Sequence, residues 1–218
     1  MFRCARQSFD LPPFRRYSGG VILDIVKFGH PVLREKGRRI ERITPEIRQL
    51  AADLIETTYA AKGVGLAAQQ VGRPVLLAVI DITESDMPSE LIVGGQPQDP
   101  AQFMPLVLVN PQLSHPQGEQ LESEGCLSIP EITGEIRRAA RITVRAQTLD
   151  GQDLVFDCTG LLARAAQHEV DHLNGILFVD RMDAATRASL AGQLKQLQKE
   201  TLAQLGKPVR SRRALVAP

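Results

Sequence analysis

The 218-residue sequence has no Trp, and aromatic residues make up only 4% of it, so aliphatic side chains must fill whatever core it builds. Cysteine is also scarce. Cys4, Cys126 and Cys158 are odd in number and far apart, which argues against a disulfide framework and suits a reducing compartment. Long apolar runs are missing: Leu106–Val109 and Ile176–Val179 are far too short to span a bilayer. The first residues lack the apolar centre of a secretory signal. A charge excess is missing too. The net charge of +1 gives no global electrostatic case for a nucleic-acid substrate. Basic residues gather at the two ends instead. Arg3, Arg6, Arg15 and Arg16 are opposed only by Asp10, and Lys207, Arg210, Arg212 and Arg213 form an acid-free tail.

This length suits one domain with a real core. Residues 1–20 read as a disordered extension, with an organelle transit peptide as the second reading. Residues 21–206 read as a single catalytic domain and 207–218 as a basic tail. Within the domain, Thr44-Pro45-Glu46 is a helix start, and Ile47, Leu50, Ala51, Leu54 and Thr58 follow at helical spacing up to Lys62-Gly63. Pro74–Asp81 and Pro105–Asn110 read as buried strands, and Thr83–Met104 between them as a long surface loop. Arg141–Gln147 alternates in polarity, as do Leu154, Phe156 and Cys158 beyond a turn at Asp150-Gly151, which predicts a hairpin. A helix starts behind Thr159 and stops near Asn174-Gly175. A last helix, capped by Asp183, carries Leu190, Leu194, Leu197 and Leu205 on one stripe and ends at Gly206. The expected fold class is α+β: mostly antiparallel sheets packed around a central helix, flanked by an N-terminal and a C-terminal helix.

That central helix carries Gln167-His168-Glu169-Val170-Asp171-His172-Leu173. Residues four apart share a helix face, so His168 and His172 can reach one metal ion, with Glu169 beside the first ligand as a proton carrier. A catalytic site commonly needs a third protein ligand. Downstream, Asp180, Asp183 and Glu200 are available, and Glu200 falls on the solvent face of its helix. Upstream, the options are Cys126, Cys158, His30 and His115. Cys158 shares an apolar strand face, and the two histidines sit before prolines in polar surroundings. Cys126 follows a glycine in Glu124-Gly125-Cys126-Leu127-Ser128, a short segment ended by Pro130. A thiolate with two imidazoles suits Fe(II), Zn or Ni. The residues alone favour Cys126 modestly and leave its rivals open. Gln167 and Asp171 read equally well as helix-face or core polar residues and as groups orienting a ligand.

Three stretches together resemble the peptide deformylases, over roughly Ile25 to Leu205: Gly63-Val64-Gly65-Leu66-Ala67-Ala68-Gln69-Gln70, the Glu124–Ser128 segment, and the Gln167–Leu173 segment. Gly63-Val64-Gly65 alone says little, and no Lys-Ser/Thr follows it to make a nucleotide loop. The resemblance implies that Cys126, His168 and His172 hold one divalent ion, Fe(II) first, with Zn, Ni or Co as substitutes. Glu169 would be the acid/base, and Gln70 with the backbone N–H of Leu127 the oxyanion donors. Gly63, Val64, Gly65, Glu124 and Gly125 would contact substrate. The implied substrate is the N-formyl-methionyl end of a nascent peptide, cleaved to release formate in the bacterial cytoplasm, with an organelle as the second location. No membrane is implied. The basic tail is a candidate ribosome contact. Two departures stand out. Arg164, Ala165 and Ala166 replace bulkier apolar residues at the expected methionine pocket, and the 83–104 stretch is long. An HExxH zinc endopeptidase and a non-catalytic protein with a structural metal are the competing readings.

Overall fold

The computed structural model describes residues 19–206. The expected extension and basic tail therefore fall outside the described residues, apart from Gly19 and Gly20. Those two already pack on the first helix. Gln49 Nε2 donates to the Gly19 carbonyl at 3.0 Å, and Val21 N–H donates to Asp53 Oδ1 at 2.9 Å.

Three helices, α1 (Pro45–Ala60), α2 (Gly160–Leu173) and α3 (Ala184–Leu205), accompany nine strands. These are β1 (Gly65–Ala67), β2 (Leu77–Ile80), β3 (Leu91–Val93), β4 (Gln96–Gln98), β5 (Leu106–Gln117), β6 (Gln120–Cys126), β7 (Ile129–Arg138), β8 (Arg141–Gln147) and β9 (Asp153–Thr159). Seven form one sheet in the order β1-β2-β5-β8-β9-β3-β4; β6 and β7 form a separate two-stranded sheet. Every pairing between named strands is antiparallel. The α+β expectation holds.

Helix α2 lays Leu162, Ala163 and Ala166 against Val144, Phe156 and Cys158 of the large sheet. The alanines let the helix approach closely, and Leu162 is fully buried, worth about 1.5–3 kcal/mol. Helix α1 packs Leu54 and Ile55 onto Leu66, Leu77 and Val79. A third cluster joins Ile129, Ile132 and Ile136 of β7 to Phe178 and to Leu194 of α3. The α3 stripe stops short of its expected end: Leu205 is exposed. Asp183 caps α3 as expected, accepting from Ala185 N–H and Thr186 N–H.

Three strand assignments change. The 105–110 strand runs on to Gln117, because Asn110 takes a positive φ and the register against β8 shifts between Val109 and Gln112. Pro111 sits in that irregularity, where no ladder donor is needed. The 83–104 stretch is not a plain loop. It folds into the β3–β4 hairpin around Gly94-Gly95, both at positive φ, and β3 pairs with β9. Its Ser89 Oγ accepts from Leu162 N–H at 3.1 Å, capping α2 where Thr159 does not. Gly160 is required there, since a Cβ would collide with the Pro88 carbonyl. Finally, the Cys126 segment is no short piece ended by Pro130. It is the end of β6, and Pro130 lies inside β7 at a register shift.

Candidate metal centre

Two structural bodies supply the centre. Helix α2 presents His168 and His172 one turn apart, ring centroids 5.0 Å apart. The β6–β7 hairpin brings Cys126 to them from its tight end. One ligand atom each from Cys126, His168 and His172 lies within 4.8 Å of the others, and Cys126 Sγ is 3.2 Å from His172 Nε2. The rival third ligands go elsewhere. Cys158 is fully buried in the main core. His30 accepts from Val32 N–H and His115 is exposed on β5. Asp180 pairs with Arg34, Asp183 caps α3, and Glu200 is exposed and bonded to Gln196.

Behind His168 stands Glu124. A carboxylate only accepts, so His168 Nδ1–H donates to Glu124 Oε2, at 3.0 Å, leaving Nε2 for a metal. Both Glu124 oxygens are taken. Oε1 accepts from Arg138 Nε at 2.8 Å and Arg164 Nη1 at 2.6 Å, and Oε2 also accepts from Arg138 Nη2 at 2.9 Å. Glu124, an expected substrate contact, also lines the adjoining cavity, while its carboxylate oxygens are committed to His168, Arg138 and Arg164. Burial pushes its pKa up, but the Arg138 and His168 hydrogen bonds win and hold it well below the usual carboxylate range. Arg138 also reaches Asp171, which Arg181 grips from the other side. Asp171 is thus a buried ion-pair member. Gln167 bonds to both polar backbone groups of Ala139 and to the Ala163 carbonyl, pinning the β7–β8 junction without touching a ligand.

The donor set fits a divalent ion. Burial depresses the His172 pKa well below its ordinary value, which keeps the imidazole neutral and its lone pair free. Burial also opposes charge on His168, yet hydrogen bonds to Cys126 and Glu124 raise it to about 10. The surroundings of His168 therefore favour a positive charge where the ligand atoms converge. Glu169 is buried, its Oε2 without a protein partner, and burial lifts its pKa to about 7. Its position explains Gly65: a Cβ there would stand 2.5 Å from Glu169 Oε1. Gly63 similarly makes room for Leu127, whose Cδ1 would lie 2.8 Å from a Cβ at 63.

Gln70 is 1% exposed and held at both ends of its amide. Oε1 accepts from Ala67 N–H at 2.9 Å, while Nε2 donates to Ser128 Oγ at 3.3 Å and faces Cys126 Sγ at 3.5 Å. Leu127 lies in the turn between β6 and β7, its carbonyl accepting from Lys27 Nζ at 2.8 Å. A cavity of about 580 Å³ opens beside these groups, walled by Val64, Gly125, Leu161, Arg164, Ala165 and His168 among others. Its flank is β1, an edge of the large sheet. Arg138, Lys27 and Arg181 were not singled out from the sequence, because single basic residues carry no motif.

A Cys-His-His centre with a buried acid beside an apolar cavity defines a metallohydrolase class of site. The sequence model of the polypeptide deformylase family matches residues 22–188, and the chain belongs to that family, whose members are metal-dependent hydrolases. The peptide deformylase of Opitutus terrae is 46% identical over 186 residues, covering 83% of this chain and 95% of that one. The Methylacidiphilum infernorum peptide deformylase is 40% identical over 179 residues, 82% and 94% of the two chains. Among solved structures, a plant peptide deformylase aligns with a TM-score of 0.73 at 32% identity, covering 85% and 94%. The Thermus thermophilus peptide deformylase aligns at 0.70 and 35%, covering 83% and 99%. No helix among the described residues is long and apolar enough to cross a membrane.

Proposed function

We propose that this enzyme hydrolyses the N-formyl group from the initiator formyl-methionine of newly synthesised proteins, releasing formate. The observation that carries the reading is the convergence of Cys126, His168 and His172 beside Glu169 and the Gln70 amide. Those three residues would hold one divalent ion, Fe(II) by preference, with Zn, Ni or Co able to replace it. Bound there, the ion supplies Lewis acidity and makes water a nucleophile at neutral pH.

The chain's own groups do the rest. Glu169, with its pKa near neutrality, takes a proton from the attacking water and returns it to the departing amine. The Gln70 Nε2–H and the Leu127 N–H donate to the formyl oxygen as negative charge builds on it, each such donor being worth ~10²–10³ in rate. The free edge of β1 pairs with the substrate backbone like an added strand, through Gly63, Val64 and Gly65. The methionine side chain enters the cavity past Gly125. Glu124 holds the His168 ring and forms part of the cavity wall that the substrate meets.

The relatives just named include bacterial enzymes, which supports action in a bacterial cytoplasm on nascent chains. The tail residues Lys207, Arg210, Arg212 and Arg213 supply a basic contact for the ribosome, while no nucleic acid is a substrate. The test is anaerobic purification with metal analysis, then formate release from formyl-Met peptides. One metal per chain and rapid formate release are expected. A fully metallated enzyme that leaves formyl-Met peptides intact but cuts internal peptide bonds would overturn the reading in favour of an endopeptidase.

A further inference from the structure

The metal's ligands come from two bodies that share no strand pairing: Cys126 from the β6–β7 sheet, His168 and His172 from α2. Something must set one against the other to within a fraction of an ångström, because a metal–sulfur bond of ~2.3 Å tolerates little drift. Two arginines span the gap. Arg138, on β7, grips Glu124 of β6 and reaches Asp171 of α2. Arg164 makes the reverse crossing. Rooted on α2 one turn before His168, it donates to Glu124 Oε1 at 2.6 Å, to the Ile136 carbonyl of β7 at 3.0 Å and to the Gln120 carbonyl of β6 at 3.1 Å.

Arg164, His168 and Asp171-His172 recur at helical spacing, so clamp, ligand and second clamp run along one face of α2. The Arg164 fork is committed to this span. Its Nε is buried without a partner, so the two terminal nitrogens carry all of the head's hydrogen bonds, and each of them goes to the hairpin. Arg164 also walls the cavity, but its guanidinium is buried and paired with Glu124, so the charge is neutralised within the span.

We propose that Arg164 is a positioning residue that docks the Cys126-bearing hairpin onto α2, so that the geometry of the thiolate relative to the two imidazoles depends on it. The inference rests on Cys126, His168 and His172 being the ligands of the metal. It assigns Arg164 a role in metal affinity and turnover, separate from the width of the pocket it walls.

The probe is Co(II), added to the full-length metal-free protein in competition with a chelator, with the sulfur-to-cobalt absorption band recorded alongside. Arg164→Met keeps an aliphatic wall and loses all three crossings. It is expected to weaken Co(II) binding about 10–100-fold, the range for residues that orient metal ligands, and to shift the sulfur band. Turnover of formyl-Met peptides should fall with KM held within roughly twofold. Arg164→Lys, which retains a charge and a donor, should recover part of the affinity. Wild-type affinity and band in Arg164→Met would overturn the proposal. So would a change confined to KM, which would make Arg164 pocket wall alone. If Arg164→Met does not fold, Arg164→Lys carries the test, and wild-type affinity with an unshifted band there overturns it. A wild-type protein that binds Co(II) through sulfur but leaves formyl-Met peptides intact would fail the functional reading while leaving this comparison standing.

Discussion

Helix α2 and the β6–β7 hairpin build one centre by opposite means. On the helix, His168 and His172 are neighbours because four residues separate them, and the hydrogen-bonded backbone does the positioning. On the hairpin, Cys126 reaches the same point through contacts distant in sequence. Glu124 is tied to Arg138 across 14 residues and to Arg164 across 40. The helix half is thus set locally and the hairpin half by a buried ionic network. The carboxyl groups differ in the same way. Glu169 on the helix is buried with one oxygen unpartnered and has its pKa raised, whereas Glu124 on the hairpin is fully bonded and has it lowered. The first arrangement suits the proton carrier proposed for Glu169; the second holds a carboxylate ionised against the His168 ring.

Substitutions can pull the two halves apart. The largest effect belongs to Glu169→Gln assayed for formate release. It removes the proton carrier but no ligand, so turnover should fall about 10²–10⁴-fold at unchanged metal content. Near-normal turnover with metal bound would refute the acid/base role. On the hairpin side, Cys126→Ser replaces a soft thiolate by a hydroxyl, and metal affinity should fall by more than roughly 100-fold. Equilibrium dialysis showing wild-type affinity would mean that the hairpin contributes no ligand.

Stability separates the carboxyl groups by sign. Glu124 has a depressed folded pKa, so its contribution is present above its unfolded value of 4.5 and is lost as pH falls through the folded value. Glu124→Gln should cost about 3–5 kcal/mol near pH 7, as expected for breaking a buried ion pair, and less in strong acid. Urea unfolding that showed no loss at pH 7 would remove the network from the account. Glu169 behaves inversely. Its folded pKa of about 7 lies above the 4.5 of the unfolded chain, so metal-free native stability declines as pH rises between them. Glu169→Gln escapes that decline, and metal-free it should gain on the order of 3 kcal/mol over wild type above pH 7 and nothing at pH 4. Parallel pH dependences for the two proteins would contradict the raised pKa. The smallest effect is expected at the start of α2, where Ser89→Ala removes a cap donated by the β3 approach. A loss of about 1 kcal/mol in thermal or urea unfolding would fit, and none would mean that the helix start holds itself.

The same division explains what the sequence made readable. Both histidines, the Asp183 cap and the β8–β9 hairpin rest on short-range spacing, and each could be read directly. The β6–β7 sheet could not. Strand β6 is exposed from Leu121 to Ser123 and buries the charged Glu124, so Gln120, Glu122, Ser123 and Glu124 look like loop residues, and Pro130 looks like a stop. The β3–β4 hairpin hid among Pro, Gly and Gln for a similar reason. Cys126 stood out as the candidate third ligand only through its motif taken jointly with two others. Arg138 and Arg164 gave no sign of their work, because partners across 14, 33 and 40 residues leave no local pattern. Gly65 was attributed to peptide approach, whereas its packing against Glu169 is a tertiary fact.

The central claim is that hairpin and helix share one metal ion. X-ray absorption at the metal edge of the anaerobically purified enzyme tests it most directly. The account predicts one sulfur neighbour and two imidazole nitrogens, with the sulfur lost in Cys126→Ser. A first shell containing only nitrogen and oxygen in the wild-type enzyme would contradict it.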